Sequence, residues 1–175
     1  MSATNEILIR GARLAADLGE RGTDAAASVG GPAVALRLGG GTIVERGTAL
    51  APGAGARVIE ADGLIAMTGL VDLHTHLREP GFEQSETVLT GTRAAAAGGF
   101  TTVFAMANTM PVADTAGVVE QVQALGDAAG YATVRPIGAV TEDLAGERLS
   151  ELGARAEPRA GVRGEVGAGW PRGVG

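Results

Sequence analysis

The sequence predicts an α/β protein in which a small β region precedes strand–helix units built on a parallel sheet. In residues 1–62, short β-like segments stand between glycine-rich turns, a pattern typical of a small β layer. In residues 63–153, apolar strand-like runs alternate with helix-like segments. Three such βα units in succession indicate a parallel sheet with right-handed crossovers.

The first region contains four segments with strand character and one ambiguous segment. The expected strands are Glu6–Arg10, Ala33–Leu38, Thr42–Glu45 and Arg57–Glu60. Glycine-rich turns separate them at Gly30-Gly31-Pro32 and Gly39-Gly40-Gly41. The alanine-rich residues 12–28 are compatible with a loop or a short helix. A small β layer is therefore expected here.

The second region begins with a nearly continuous apolar run, which is typical of a strand buried on both faces. The three expected strands are Leu64–Leu73, Phe100–Ala107 and Thr133–Val140. The three expected helices are Thr87–Ala97, Thr115–Ala129 and Asp143–Leu152. Gly98-Gly99 is a plausible end for the first helix, and Asp114 is a good N-cap for the second.

The second expected helix has an apolar face at helical spacing. Its members are Val118, Val122, Leu125 and Ala129. Residues 154–175, in contrast, mix arginine, glycine and proline with no apolar period. We expect this tail to be foreign to the fold, for example through a frameshift. A natural disordered tail is the alternative.

The composition excludes several functional classes. With 175 residues, the chain is shorter than the about 250 residues of a complete (β/α)₈ barrel. It has no cysteine, which excludes thiolate metal sites and thiol nucleophiles. All 14 basic residues are arginine, so no lysine can form a Schiff base, bind phosphate in a P-loop or bridge two metals as a carbamate.

Charge and hydropathy suggest a soluble cytoplasmic protein. The net charge of −6 and the 3% aromatic content argue against nucleic-acid binding. No apolar run approaches the roughly 18–20 residues that cross a bilayer. The apolar segment near the N-terminus, Ile7-Leu8-Ile9, is too short for a signal peptide.

The two histidines of the chain, His74 and His76, stand together in the segment GLVDLHTHLREPG, residues 69–81. Residues at i and i+2 of a strand project from the same face, so the two imidazoles can converge on one divalent cation. They also follow an apolar strand, at the end where parallel α/β folds collect their active residues. We predict metal ligation by both; two structural histidines are the alternative.

Arg78 and Asn108 are the candidate substrate-binding residues. Arg78 continues the alternation of the histidines, and a guanidinium beside a cation suits a substrate carboxylate held between them. An ion pair with a glutamate at position 79, 83 or 86 is the alternative. Asn108 follows the second expected strand, where its amide could donate to a carboxylate or carbonyl; an Asx turn before Pro111 explains the position equally well.

These motifs together resemble the dihydroorotase branch of the amidohydrolase superfamily. The segment GLVDLHTHLREPG, the helix TVLTGTRAAAAGGFTTV and the following MANTMP carry the resemblance. It extends over about residues 6–152 and points to the longer bacterial type. A pair of histidines after the first strand is common to the superfamily; the extension through Arg78 to Gly81, together with Asn108, is more specific.

The resemblance implies a fold, a reaction and a set of roles. The fold would be a β-sandwich portion followed by the first three βα units of a TIM-like, metal-dependent hydrolase barrel. The reaction would interconvert N-carbamoyl-L-aspartate and L-dihydroorotate in pyrimidine synthesis, with zinc activating water at the barrel mouth. His74 and His76 would bind zinc, and His76, Arg78 and Asn108 would contact the substrate.

The chain departs from the family pattern in ways that predict an inactive fragment. The family also uses a bridging carboxylate, two further histidines and a catalytic aspartate from later strands, and none of these later elements is present. Two imidazoles are too few for a catalytic zinc site, which takes three protein ligands. The zinc site is therefore expected to be incomplete, and an open apolar sheet is expected to aggregate.

Three other functions are compatible with the residues. One is a related cyclic amidohydrolase, such as an allantoinase or dihydropyrimidinase, although a neutral ring gives Arg78 no carboxylate to bind. Another is a non-catalytic dihydroorotase-like partner of aspartate transcarbamoylase, or a self-associating protein. The last is an α/β binding module with two chance histidines.

Overall fold

The computed structural model describes residues 6–15, 32–150 and 165–166 of the chain. The chain divides into two compact units, Met1–Thr68 and Gly69–Gly175. The sequence predicts the division after residue 62. It lies further along because Ile65–Ala66 forms a parallel strand pair with Arg13 and Leu14 of the first unit.

The first unit is a mixed five-stranded sheet. Its strands are β1 (Ile7–Leu14), β2 (Val34–Gly39), β3 (Thr42–Gly47), β4 (Arg57–Glu60) and β5 (Ile65–Ala66). The order is β3-β2-β1-β4, and β5 also pairs with β1. β2 is antiparallel to β1 and β3, whereas β4 and β5 run parallel to β1. The four strands predicted from the sequence are thus confirmed.

Glycines with positive φ occupy the β2–β3 turn and the bulge in β1. Gly40 and Gly41 both have positive φ in the β2–β3 turn, the conformation of a tight type I′ hairpin. The register of β1 against β2 shifts between Ile9 and Ala12, and Gly11 at this bulge has φ +80°. A sandwich, which the resemblance implies, needs a second sheet that the described residues of this unit do not supply.

The second unit contains a three-stranded parallel sheet with two helices. Its elements are β6 (Leu70–Thr75), α1 (Val88–Ala97), β7 (Phe100–Ala105), α2 (Ala116–Ala129), β8 (Thr133–Pro136) and β9 (Gly138–Ala139). The sheet order is β6-β7-β8, with parallel pairing throughout. The predicted parallel sheet with sequential strands is therefore confirmed, and its core includes Val88, Val103, Val122 and Val134.

Helix α1 begins and ends where the sequence predicts. Thr87 is the N-cap, and its side chain and that of Thr90 exchange hydrogen bonds with each other's backbone N–H groups. This capping box satisfies two donors that a helix start otherwise leaves unpaired. Val88 and Thr92 are fully buried, and the helix ends at Gly98.

Helix α2 has the predicted span but a different cap and a shifted buried face. Thr115 is the N-cap residue, so the prediction of Asp114 is wrong. The Asp114 carboxylate instead accepts a hydrogen bond from the backbone N–H of Asp143 at 2.9 Å. The buried residues are Val119, Val122 and Gly126, about one residue from the predicted face, because Gly126 lets the helix approach the sheet closely.

The prediction of one doubly buried strand over Leu64–Leu73 is wrong. The run divides into β5 and β6, which belong to different units. Val71 and Leu73 are 53% and 67% exposed. β6 pairs with β7 alone among the described strands, and burial fails because no described element covers the Val71 and Leu73 side chains.

The predicted third helix over Asp143–Leu152 is also wrong within the described residues. Glu142–Leu144 forms a single 3-10 turn in which Asp143 and Leu144 have positive φ. Thr141 then forms an antiparallel bridge with Leu149. Positive φ for these side chains is incompatible with a continuing right-handed helix, so the described residues 143–150 do not form the helix of a third βα unit.

The predicted strand over Thr133–Val140 divides into β8 and β9. Ile137 stands between them, and its N–H donates to the Ala105 carbonyl at 2.8 Å. In the tail, the structure describes the backbone of β10 (Glu165–Val166), which pairs in parallel with β9; the prediction of a foreign tail otherwise lies outside the described residues. No helix in the described part of the chain has the length and hydropathy to span a membrane.

We predict that Gly126→Ala destabilises the second unit. A Cβ at this position would lie 2.5 Å from the Cβ of Val134, which is fully buried, and overpacking of this kind costs about 1–3 kcal/mol. Urea unfolding followed by circular dichroism measures the change. Gly117→Ala in the same helix is the matched control, because no atom lies within 4 Å of its added Cβ; it should stabilise by about 0.5–1 kcal/mol. Equal effects of the two substitutions would contradict the packing argument.

Candidate functional site

The candidate site lies where β6 and β7 end side by side. The strands are parallel, with Thr75 opposite Ala105. Beyond the strand ends the Met106 N–H donates to the Thr75 carbonyl at 2.9 Å, which extends the pairing into the loops. Two loops therefore leave the same edge of the sheet, one carrying His76 and the other Asn108.

The two histidine side chains lie close together. The ring centroids of His74 and His76 are 5.0 Å apart, with an angle of 68° between the ring planes. His74 is exposed and His76 is partly buried. β6 ends at Thr75, between the two histidines, yet the rings remain neighbours as the strand alternation predicts.

Asp72 supports the end of β6, a role that the sequence predictions missed. Its Oδ1 accepts a hydrogen bond from the His74 backbone N–H at 3.0 Å. This hydrogen bond, with a smaller contribution from the Thr75 hydroxyl, holds the pKa of Asp72 below its ordinary value. The signal was available, because aspartate commonly accepts from the N–H two residues further along.

Two residues of the first loop anchor it to the unit. Leu77 is 3% exposed and belongs to the hydrophobic core of the sheet and helices. The carboxylate of Glu79 accepts a hydrogen bond from the Val88 N–H at 2.8 Å, at the N-terminus of α1, where a negative charge is favourable. The loop that carries His76 and Arg78 is thus fixed by the burial of Leu77 and by the hydrogen bond of Glu79 to α1.

Arg78 does not continue the strand alternation. Its φ is +63°, and β6 has already ended at Thr75. Strand alternation therefore cannot be used to predict the direction of the Arg78 side chain. The side chain is exposed. Among the described residues it forms no recorded ion pair or side-chain hydrogen bond. A role in binding a carboxylate therefore stays a prediction.

Asn108 contacts His76 directly. Its Oδ1 lies 2.9 Å from the Nδ1 of His76. The loops that carry the two residues also contact through their backbones, because the Met110 N–H donates to the Pro80 carbonyl at 2.9 Å. Gly81, with φ +102°, leaves no space for a Cβ beside the Met110 carbonyl. The structure thus brings together two of the predicted site residues that are 32 positions apart in sequence.

The described residues fit part of a zinc site and do not complete one. Two imidazoles on one tetrahedral zinc, with Zn–N distances of about 2.0–2.1 Å, have ring centroids about 5 Å apart, which matches His74 and His76. A catalytic zinc takes a third protein ligand. No group of three or more His, Cys, Asp or Glu side chains in the described part of the chain is arranged to hold a metal ion.

A family model described as dihydro-orotase-like matches residues 63–163, which is more than half of the chain. The chain belongs to this family. The match includes every candidate site residue, and it continues beyond residue 153, where the sequence predicts that the second region ends. Membership excludes an unrelated α/β binding module with chance histidines.

Curated relatives in the family are close in sequence but much longer. A dihydroorotase from Leifsonia xyli subsp. xyli is 77% identical over 128 residues, covering 73% of this chain and 29% of the relative. One from Streptomyces coelicolor is 68% identical over 123 residues, covering 70% of this chain and 28% of the relative. The chain therefore spans less than a third of the length of these relatives.

Solved structures share the fold at low sequence identity. The L-hydantoinase (dihydropyrimidinase) of Arthrobacter aurescens matches with a TM-score of 0.63 and 18% identity, covering 81% of this chain and 29% of that one. A D-hydantoinase matches with a TM-score of 0.52 and 24% identity, covering 78% of this chain and 28% of that one. These matches show a shared fold; the sheet of the described residues is open, and a closed barrel is not formed by them.

We predict that Asp72 makes stability depend on acid pH. Because its folded-state pKa is lowered, the charged carboxylate stabilises the fold above its unfolded pKa of about 3.9. This contribution should disappear as the pH falls from about 4 through the lowered pKa. Thermal unfolding of the wild-type chain and Asp72→Asn measures it: the wild type should be more stable at neutral pH, and the difference should vanish in acid. A difference independent of pH would contradict this role.

Proposed function

We propose that this chain is the amino-terminal portion of a zinc-dependent dihydroorotase, which interconverts N-carbamoyl-L-aspartate and L-dihydroorotate in cytoplasmic pyrimidine synthesis. The observation that carries the proposal is the contact between His76 and Asn108 beyond the ends of two parallel strands. Arg78 follows His76 by two residues in the same loop. The curated relatives named dihydroorotase supply the reaction. Because these relatives are more than three times as long as the matched segment, we assign the activity to a longer polypeptide or an assembly that contains this chain.

His74 and His76 would provide two zinc ligands in this enzyme. When bound, zinc lowers the pKa of water and polarises a carbonyl. The third ligand and the proton-transfer group would come from outside the described residues. The chain's own residues therefore account for binding and orientation, and not for the hydrolytic step.

Arg78 and Asn108 would hold the carboxylate of the substrate. A guanidinium binds a carboxylate through two parallel hydrogen bonds, and the exposed Arg78 is available to do so. Asn108 uses its Oδ1 at His76, which leaves its Nδ2 group to donate. His76 adjoins the Asn108 amide, so it would contact the substrate as well as the metal.

A charged substrate explains the site better than a neutral ring does. Allantoinases and dihydropyrimidinases act on rings without a carboxylate, for which the guanidinium of Arg78 has no partner. A non-catalytic role beside aspartate transcarbamoylase requires no substrate contacts at all. Neither alternative predicts an activity on dihydroorotate that depends on Arg78.

We expect a chimera to be active. In the chimera, residues 63–152 of this chain replace the matching segment of the Leifsonia xyli enzyme, and hydrolysis of L-dihydroorotate is followed with added zinc. Arg78→Ala should lower kcat/KM by about 10- to 150-fold, because a hydrogen-bonded charge contributes about 1.5–3 kcal/mol. Arg93→Ala, which removes an exposed arginine of α1, is the matched control and should have no effect.

The same chimera distinguishes the alternatives. Turnover of hydantoin or allantoin in preference to dihydroorotate, with no sensitivity to Arg78→Ala, would identify a neutral-ring amidohydrolase. A folded chimera without turnover of either class would contradict a catalytic origin of the segment and favour the non-catalytic partner.

We expect the 175-residue chain alone to be inactive. The described residues lack a third zinc ligand, and a catalytic zinc site requires one. The measurement is hydrolysis of L-dihydroorotate by the purified chain with added zinc, beside the chimera at equal concentration. Turnover within about tenfold of the chimera would show that the chain completes its site by itself or by self-association.

A further inference from the structure

We propose that Asn108 is a positioning residue that fixes the tautomer of His76. The inference deepens the proposed function, because it concerns which nitrogen of His76 is available to a cation. It starts from the 2.9 Å contact between the Asn108 Oδ1 and the His76 Nδ1. An amide oxygen only accepts hydrogen bonds, so the proton of a neutral His76 must be on Nδ1.

This placement of the proton leaves the lone pair on Nε2. A metal-binding imidazole commonly donates its other ring N–H to an oxygen, which fixes both the tautomer and the orientation of the ring. Asn108 supplies that oxygen here. The opposite orientation of the amide would place its NH₂ group at Nδ1, put the proton on Nε2 and leave no lone pair for a cation.

The amide can do this because its loop is held by contacts other than the one with the His76 ring. Thr109 is buried, and its hydroxyl donates to the Pro111 carbonyl at 2.7 Å. The Met110 N–H donates to the Pro80 carbonyl in the loop that carries His76. Ala107, immediately before Asn108, belongs to a hydrophobic cluster with Ala113. Asn108 is therefore presented to His76 by backbone contacts on both sides.

Long-range ¹H–¹⁵N correlation spectra of the metal-free 175-residue chain test the proposal. The chain has two histidines, so a His74→Gln variant assigns both rings. In spectra recorded at alkaline pH, neutral His76 should show a protonated Nδ1 and an unprotonated Nε2. Asn108→Ala should abolish this preference, whereas Asn108→Asp, which keeps an accepting oxygen, should preserve it. The resonances of His74 should be the same in all three proteins.

Two results would overturn the proposal. One is a protonated Nε2 on His76 in the wild-type chain, which would mean that the amide has the opposite orientation. The other is an unchanged Nδ1–H tautomer in Asn108→Ala, which would mean that Asn108 does not set it. The wild-type spectrum decides the first point even if Asn108→Ala fails to fold. Because no metal or substrate is present, the outcome is independent of whether the chimera hydrolyses dihydroorotate.

Discussion

Parallel pairing of β6 with β7 is the constraint on which the candidate site depends. Parallel strands end at the same edge of a sheet, so the loops that follow them begin as neighbours. This pairing brings residues that are 32 positions apart, His76 and Asn108, within 2.9 Å. An antiparallel arrangement of the same two strands would have sent the loops to opposite ends of the sheet.

The loops after the strands are held by contacts of several kinds, each of which uses a different property of the sequence. Leu77 enters the core, Glu79 accepts from the first N–H of α1, and Gly81 fits against the backbone of Met110. Residues of the motif that have no candidate chemical role thus fix those that do.

Strand periodicity agrees with the placement of the two histidine side chains and fails beyond them. It placed the two histidine rings on one side, and they are 5.0 Å apart. It failed at Arg78, because the chain has turned into the left-handed region with φ +63°. It also failed for Val71 and Leu73, whose apolar character predicts burial. Burial depends on a covering element, and the described residues place none beside β6.

The sequence by itself determined four of the five strands of the first unit, the span and C-terminal end of α1, and the identity of the candidate residues. These follow from local patterns: alternation, capping side chains and glycine at turns. Only the tertiary structure decided that Asn108 contacts His76 and that the segment after Thr141 is not a helix. Those features depend on strand pairing and on backbone donors far away along the chain, to which a local pattern is blind.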